Sequence, residues 1–464
     1  MLASKRMKQL KAVKTMTARK LDVQMAFDDT YANAAGALPG AKESWVDGLR
    51  QTSRAILGAN GIPGPKTEAW KYTSLNAVAN TPFIPAKKVD DVDVSCIPLV
   101  APILENAIKV VFVNGVFRGD LSDEFDDLGI GVALNPFSDV INSSPESLRN
   151  VLGSVMEPDK SFTAAMNTGF MEQGAVIHLA SDVHLDRPVQ FISIGASGSV
   201  PCAFHPRIEI VLEAGARATV VESHIGLPGQ PYLSNSATEI LLGERAVLNH
   251  YTTASEDSDA FHLGRTAVSV EKSAKYDSFI LSLSGRLVRR EIQVRLEGDG
   301  AAATVDGAYG LSGKQHSDIS SEILHLAPET ISNQTIKGVL AGDTRGVFQG
   351  RIHVARDAQR TDGRQLHKAL LLDRGPEVDC KPELEIYADD VQCAHGATTG
   401  EMNPEHIFYL MSRGIDEMTA RALLVEGFLD DVVFKISNES ARVLVLDMVK
   451  TWLAKQKILS VGEL

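Results

Sequence analysis

Residues 380–400 of this chain read CKPELEIYADDVQCAHGATTG. In the first half, Leu384 and Ile386 alternate with Glu383 and Glu385, which is the period of a half-buried strand. The two aspartates that follow predict a turn. Beyond residue 400 the apolar spacing becomes helical, so this stretch marks the point at which a β architecture gives way to helices.

Cys393 and His395 follow that turn and lie two residues apart on an extended segment, so their side chains point to the same side. A thiol and an imidazole are ligands that suit a soft metal ion or a cluster. Two ligands are too few for a closed metal site, so a second chain must supply the others. The competing interpretation is structural, with a small buried cysteine and a hydrogen-bonded surface histidine.

Upstream of this stretch, alternating segments and short turns recur with a period of about 26 to 33 residues, which is typical of a stacked repeat. The predicted turns begin at Glu213, Leu242, Glu271, Glu297, Ala327, Ala355 and Ala388. Short strands stacked coil on coil predict a parallel β-helix, or β-solenoid. A β-sandwich is the alternative, but it does not account for a period sustained over seven turns.

Helical patterns flank the repeat. Lys42 to Leu57 has apolar residues at helical spacing, and Asn403 followed by Pro404 is typical of the start of a helix. The C-terminal helices either cover the open end of the solenoid or dock a partner, and the sequence is consistent with both. We therefore predict a mainly β protein with a helical domain at 1–100, a β-helix core at 101–400 and a helical domain at 401–464.

Composition excludes several classes of function. The chain has 464 residues, a formal net charge of −13 and no apolar run long enough for a membrane span, so neither a nucleic-acid partner nor a membrane association is predicted. Four cysteines in so long a chain indicate reduced thiols in the cytoplasm. Gly313-Lys314 is followed by Gln315 and not by Ser or Thr, so no bound nucleotide is predicted. No Ser–His–Asp or Cys–His nucleophile arrangement is recognisable, which argues against an enzyme.

The N-terminus differs in charge from the rest of the chain. Residues 1–21 contain seven Lys or Arg and no Asp or Glu. Three interpretations stay open: a solvated basic helix or frayed terminus, a translation start at Met16, and an organellar targeting segment. A secretory signal is not predicted, because the segment lacks an apolar centre.

The run from Thr361 to Phe428 resembles the SufB/SufD family, the scaffold subunits of the SUF system for iron–sulfur cluster assembly. TEAWKYTSL, from Thr67 to Leu75, resembles a segment in the N-terminal domain of that family. The resemblance implies a right-handed parallel β-helix between two helical domains. SufB-like chains carry Glu at the position of Gly396 and more cysteines in the last coils, so this chain is more similar to the SufD branch.

For the SufD branch, the resemblance implies a non-enzymatic scaffold subunit. Such a subunit pairs with a SufB-like paralogue through the β-helix and binds a SufC-like ATPase through the C-terminal helices. The resemblance also implies a transient iron–sulfur cluster that is shared with the SufB-like partner, with His395 as the metal ligand and Cys393 as a lesser candidate. Whether the chain forms a homodimer when that partner is absent is left open.

Two other functions are compatible with parts of the sequence. The first alternative is a SufB-like paralogue of the same family. A β-helix polysaccharide lyase would need a groove of calcium-binding Asp residues, an Arg or Lys base and usually a secretory signal. The negative net charge and the missing secretory signal count against the lyase.

Overall fold

The structure, a computed structural model, describes residues 38–86, 103–125, 128–196, 198 and 200–455. The basic segment 1–21 and Cys96 lie outside these residues. Two long sheets share one apolar core and are formed by strands that alternate between them along the chain. The mainly β fold and the predicted solenoid, with helices on both sides of it in sequence, are therefore confirmed.

The first sheet, sheet A, is built mainly from parallel strands, and each pairs in register with the next strand of the same sheet. Its strands are β1 (Ile84–Pro85), β4 (Val132–Pro136), β5 (Gly174–Leu179), β7 (Cys202–Phe204), β8 (Arg207–Leu212), β10 (Tyr232–Ser234), β11 (Ala237–Leu242), β13 (Phe261–Val270), β15 (Leu287–Leu296), β17 (His316–His325), β19 (Arg345–Val354) and β21 (Glu377–Ile386).

The second sheet, sheet B, takes the strands in between and has the same parallel pairing over most of its length. Its strands are β2 (Ile108–Val113), β3 (Val116–Phe117), β6 (Val189–Gly195), β9 (Arg217–Gly226), β12 (Val247–Ser255), β14 (Lys275–Ser282), β16 (Ala302–Leu311), β18 (Ile331–Leu340), β20 (Asp362–Leu371) and β22 (Gln392–Glu401). One coil of the solenoid is thus a strand of sheet A, a turn, a strand of sheet B and a return connection.

The seven predicted turns lie between a strand of sheet A and the following strand of sheet B. Six of them contain a residue with positive φ: Gly215, Arg245, Ser273, Gly300, Glu329 and Arg360. The backbone N–H of each of these residues donates to a carbonyl in the turn of the next coil, as from Ser273 to Asp299 at 3.0 Å. The turns therefore stack like the strands, which explains why the sequence repeats with so regular a period.

Inward-facing side chains fill the space between the two sheets, which we call the lumen. Along sheet B, for example, Leu248, Tyr276 and Ala303 occupy the same register position in successive strands and are all buried. We call such a set a column. Because side chains alternate across a strand, every second column faces the lumen and the others face outward.

The N-terminal helices are α1 (Ser44–Asn60), α2 (Asn76–Ala79), α3 (Phe137–Ser143) and α4 (Phe162–Phe170), with 3₁₀ turns at Glu68–Trp70 and Pro145–Leu148. The helix predicted over 42–57 is therefore present, close to its predicted bounds. Its Val46 packs against Phe137 and Ile141, so α1 shares a small core with residues that interrupt the solenoid strands.

The C-terminal helices are α5 (Pro404–Met411), α6 (Glu417–Val433) and α7 (Glu439–Lys455). Asn403 caps α5 as predicted, and its side-chain oxygen accepts from the N–H of Glu405 at 2.9 Å. The last strand ends at Glu401, and the predicted boundary near residue 100 falls within 87–102, outside the described residues. The division into three domains therefore stays a prediction. None of the described helices combines the length and the apolar character that a bilayer span requires.

Candidate functional site

The solenoid ends at β21 and β22, which are the terminal strands of sheets A and B. Among the described strands, each has a paired neighbour on one side only, so the other edge leaves backbone N–H and C=O groups over ten residues without a strand partner there. Such an edge is a template for another chain. We call this terminal coil the last rung.

Cys393 and His395 lie on β22 in columns that face the lumen. Cys393 is in register with Gly363 and Ser332, and His395 is in register with Gln365. Ser332 and Gln365 are buried, whereas His395 is exposed and Cys393 is half-buried, because no further coil covers them. The two predicted ligands therefore point into the open end of the lumen.

Cys380 joins them from the opposite sheet. It is in register with Phe348 and Ile319, which are core residues, and it packs against that core. Its spacing of four residues from Leu384 predicts that both side chains lie on one face of the strand. Only the stacking of the two sheets brings it to the same end of the lumen as His395.

Neither thiol of the last rung is activated by its surroundings. Burial raises the pKa of Cys380 to about 11 and raises the pKa of Cys393 as well, so both are neutral thiols at physiological pH. Metal binding by cysteine requires the thiolate, so an approaching cation must drive the deprotonation. Within the described ranges, no three His, Cys, Asp or Glu side chains lie close enough together to hold a metal ion.

A polar groove on the outer face of sheet B begins beside the last rung. Arg364, Ala394 and Gly396 line its near end, and Asp306 and Lys435 line its far end. Burial raises the pKa of Asp306 to about 6, and the Lys435 ammonium lies 3.9 Å from its carboxylate. The groove therefore runs from the last rung to the connection between α6 and α7.

Helices α6 and α7 pack on the outer face of sheet B. Their apolar side chains form one buried cluster with strand residues such as Phe279 and Val339. Lys337, on β18, is buried beneath α6 and donates to the carbonyl oxygen of Phe428 at 2.8 Å and to the carboxylate of Asp431. These helices are thus fixed to the side of the solenoid and do not close its end.

The remaining C-terminal surface exposes an apolar patch around α5 and the start of α6. Its members are Phe408, Tyr409, Met411, Met418 and Leu423, all of which are exposed. We call these five residues the α5–α6 patch. Exposed apolar groups gathered in one segment mark a surface that another protein covers.

A polar network lies inside the lumen, and the only signal for it in the sequence is the alternation of its residues along the strands. Five histidines are buried: His224, His250, His262, His325 and His367. The Glu222 carboxylate lies 2.7 Å from His250, and Arg290 lies 2.6 Å from His262. Burial lowers the pKa of His262 to about 4 and opposes the ionised form of Glu222, but hydrogen bonds from His224 and His250 hold the pKa of Glu222 well below its usual range. The contacts of Glu222 and Arg290 therefore support the interior in earlier coils, whereas His367 lies on β20 beside the last rung.

Comparisons with known proteins identify the family to which this chain is similar. The SufBD core domain of the SUF system for FeS cluster assembly matches residues 193–428, and the SufBD protein N-terminal region matches residues 21–191. An iron–sulfur cluster assembly SufBD family protein of Synechocystis is 29% identical over 86% of this chain and 89% of its own length. The iron–sulfur cluster assembly protein SufD of Escherichia coli is 27% identical over 83% of this chain and 88% of its own length. The iron–sulfur cluster assembly protein SufD of Bacillus subtilis is 23% identical over 86% of this chain and 92% of its own length.

Proposed function

This chain belongs to the SufBD family of iron–sulfur cluster assembly proteins, and from that premise we propose that it is a SufD-type scaffold subunit without enzymatic activity of its own. It pairs with a SufB-type paralogue in the cytoplasm. Together the two chains hold a nascent cluster, which is cargo for other proteins and not a resident cofactor of this one.

The last rung carries the proposal. It offers lumen-facing ligand groups, His395 and Cys393, at a solenoid end whose strand edges are unpaired. A partner solenoid that pairs with β21 and β22 would cover this end and place its own thiolates opposite His395. His395 is the first candidate for the metal ligand, because it is exposed at the outer end of its column, whereas burial raises the pKa of the Cys393 thiol, which must lose a proton before it binds a metal.

The α5–α6 patch supports a second contact, with a SufC-type ATPase. Helices α6 and α7 are fixed on sheet B by a buried cluster that includes Val339 of β18, a strand two positions from β22. Nucleotide binding belongs to the ATPase in this proposal. The same patch could not be predicted from helical spacing alone, because spacing does not show which apolar face stays uncovered.

The test is co-expression with SufB-type and SufC-type proteins of the same source, anaerobic purification and measurement of iron and acid-labile sulfide. His395→Ala should leave the complex and its thermal midpoint unchanged and reduce iron and sulfide to background, because it removes an exposed ligand and little packing. His184→Ala, a change at an exposed histidine of an early coil, is the matched control. A His395→Ala complex that matures clusters like the unchanged protein would refute the assignment.

A further inference from the structure

The lumen-facing column that ends at His395 contains two glutamines. From the interior outward, the column on sheet B is Val305, Gln334, Gln365 and His395. The column on sheet A that faces it is Ile292, Ser321, Gly350 and Pro382. Each glutamine therefore reaches across the lumen toward a small residue of the opposite sheet.

The two glutamines differ in their partners. Gln334 accepts a hydrogen bond at its Oε1 from the Ser321 hydroxyl at 2.6 Å, whereas its Nε2 has no partner among the described residues. Gln365 faces Gly350, which has no side chain to offer. A Cβ on Gly350 would stand 1.4 Å from Nε2 of Gln365, so the amide occupies the space that only glycine leaves free.

The amide of Gln365 is buried without a partner. The residue is 3% exposed, and neither its Oε1 nor its Nε2 has a hydrogen-bond partner among the described residues. A buried amide without partners is destabilising, so its presence in a packed lumen calls for a ligand that satisfies it. The next position outward in its column is His395, one strand spacing of roughly 4.8 Å away.

We propose that Gln365 forms the floor of the ligand site at the last rung and that its amide N–H donates to an anionic sulfur, sulfide or thiolate, of an iron centre held by His395. This inference rests on the proposed function, since it takes that iron centre as the ligand. The geometry favours sulfur, because Cys380 and Cys393 face the lumen in the same rung as His395.

A hydrogen bond to sulfur changes a measurable property of the cluster. N–H donors facing the sulfurs raise the reduction potential and help to retain the iron. Gln365 acts on the ligand and not on the fold. Removing its amide should therefore change the reduction potential and the retention of iron without lowering the thermal midpoint. Gln334, one strand deeper and already bonded to Ser321, gives the matched comparison.

The experiment uses the complete complex with its SufB-type and SufC-type partners, loaded anaerobically with iron and sulfide. Gln365→Met keeps the volume and removes the amide. We expect an unchanged or higher thermal midpoint, a lower reduction potential of the cluster, and half-removal of iron at a chelator concentration roughly ten-fold lower, as found for groups that support metal ligands. Gln334→Met should lower the thermal midpoint and leave the potential and the chelator concentration unchanged.

Two further variants keep the inference open to refutation. Gly350→Ala drives a methyl group into the space of the Gln365 amide and should shift the potential although Gln365 is retained. If both Gln365→Met and Gly350→Ala complexes keep the original potential and chelator sensitivity, the inference is overturned. The His395→Ala complex distinguishes this inference from the proposed function. If His395→Ala loses the cluster but Gln365→Met behaves like the unchanged complex, only this inference is wrong. If His395→Ala retains the cluster, the proposed function is wrong.

Discussion

The guanidinium of Arg289 lies 4.0 Å from the centre of the Trp70 ring. Arg289 projects from β15, and its Nε donates to Glu291 at 2.9 Å, so the ring covers a charge that is already paired. Three residues further on, Thr73 lies 3.0 Å from His316 of β17. The motif TEAWKYTSL is therefore the segment that fastens the N-terminal part of the chain to the outer face of sheet A.

Replacing Trp70 should weaken that attachment. Trp70→Ala removes a side chain that is 3% exposed and uncovers Arg289, so we expect a loss of about 3 kcal/mol in the free energy of unfolding. Chemical denaturation measures the loss, and limited proteolysis should show earlier cleavage before residue 86. Lys71→Ala, at an exposed neighbour, is the control and should change the unfolding free energy by less than about 0.5 kcal/mol. Equal effects of both changes would contradict this account.

The α5–α6 patch predicts a change that affects binding and leaves folding alone. Phe408 is 72% exposed, so Phe408→Asp should keep the thermal midpoint and abolish binding of the SufC-type ATPase, measured by calorimetry. The control is Ile130→Asp, which changes a fully exposed isoleucine just before β4. Strand β4 lies at the other end of sheet A. Deleting everything from Asn403 onward is a poorer test, because it also uncovers the apolar face that α6 and α7 bury on sheet B. Undiminished binding by Phe408→Asp would show that the ATPase docks elsewhere.

Asp306 predicts a pH dependence. Burial raises its pKa in the folded chain to about 6, above the value of an unfolded aspartate, so the folded state binds the extra proton between about pH 4 and pH 6. The contribution of Asp306 to the free energy of unfolding is therefore fully present below about pH 4 and is lost as the pH rises through 6. The loss is at most about 3 kcal/mol. Asp306→Asn should raise the free energy of unfolding at pH 7 and flatten its slope between pH 4 and 6. Asp357→Asn, in an exposed turn, should leave that slope as it is.

The thiols of the last rung predict slow alkylation. Because burial raises the pKa of Cys380 to about 11, its thiolate fraction near pH 8 is about a hundred-fold below that of an unfolded cysteine. Mass spectrometry after iodoacetamide treatment should show slow modification of Cys380 in the isolated folded chain and fast modification in denaturant. Cys393, whose pKa is also raised, should react slowly as well. Rapid alkylation of Cys380 in the native chain would mean that the thiol is activated.

The architecture could be predicted from sequence because its signals are local. Alternation within segments such as Ile292 to Leu296 predicts strands, and the turn spacing predicts the coil. The cap at Asn403 was predicted for the same reason, since a side-chain oxygen and an N–H two residues later decide it. The burial of the interior histidines could not be predicted in this way, because an alternating pattern shows that a side chain lies on one face but not that the opposite sheet buries it.

The coil, the helices on either side of it and the adjacency of Cys393 and His395 depend on neighbours along the chain, so they can be predicted from the sequence. The position of Cys380 with them at the open end of the lumen, and of Gly350 opposite Gln365, follows from the fold of the whole chain. These residues come from different strands, and their approach depends on the register of stacked coils and on which columns face inward. Register is a property of the paired sheets, set when hydrogen bonds and core packing align whole strands, and no single segment contains it.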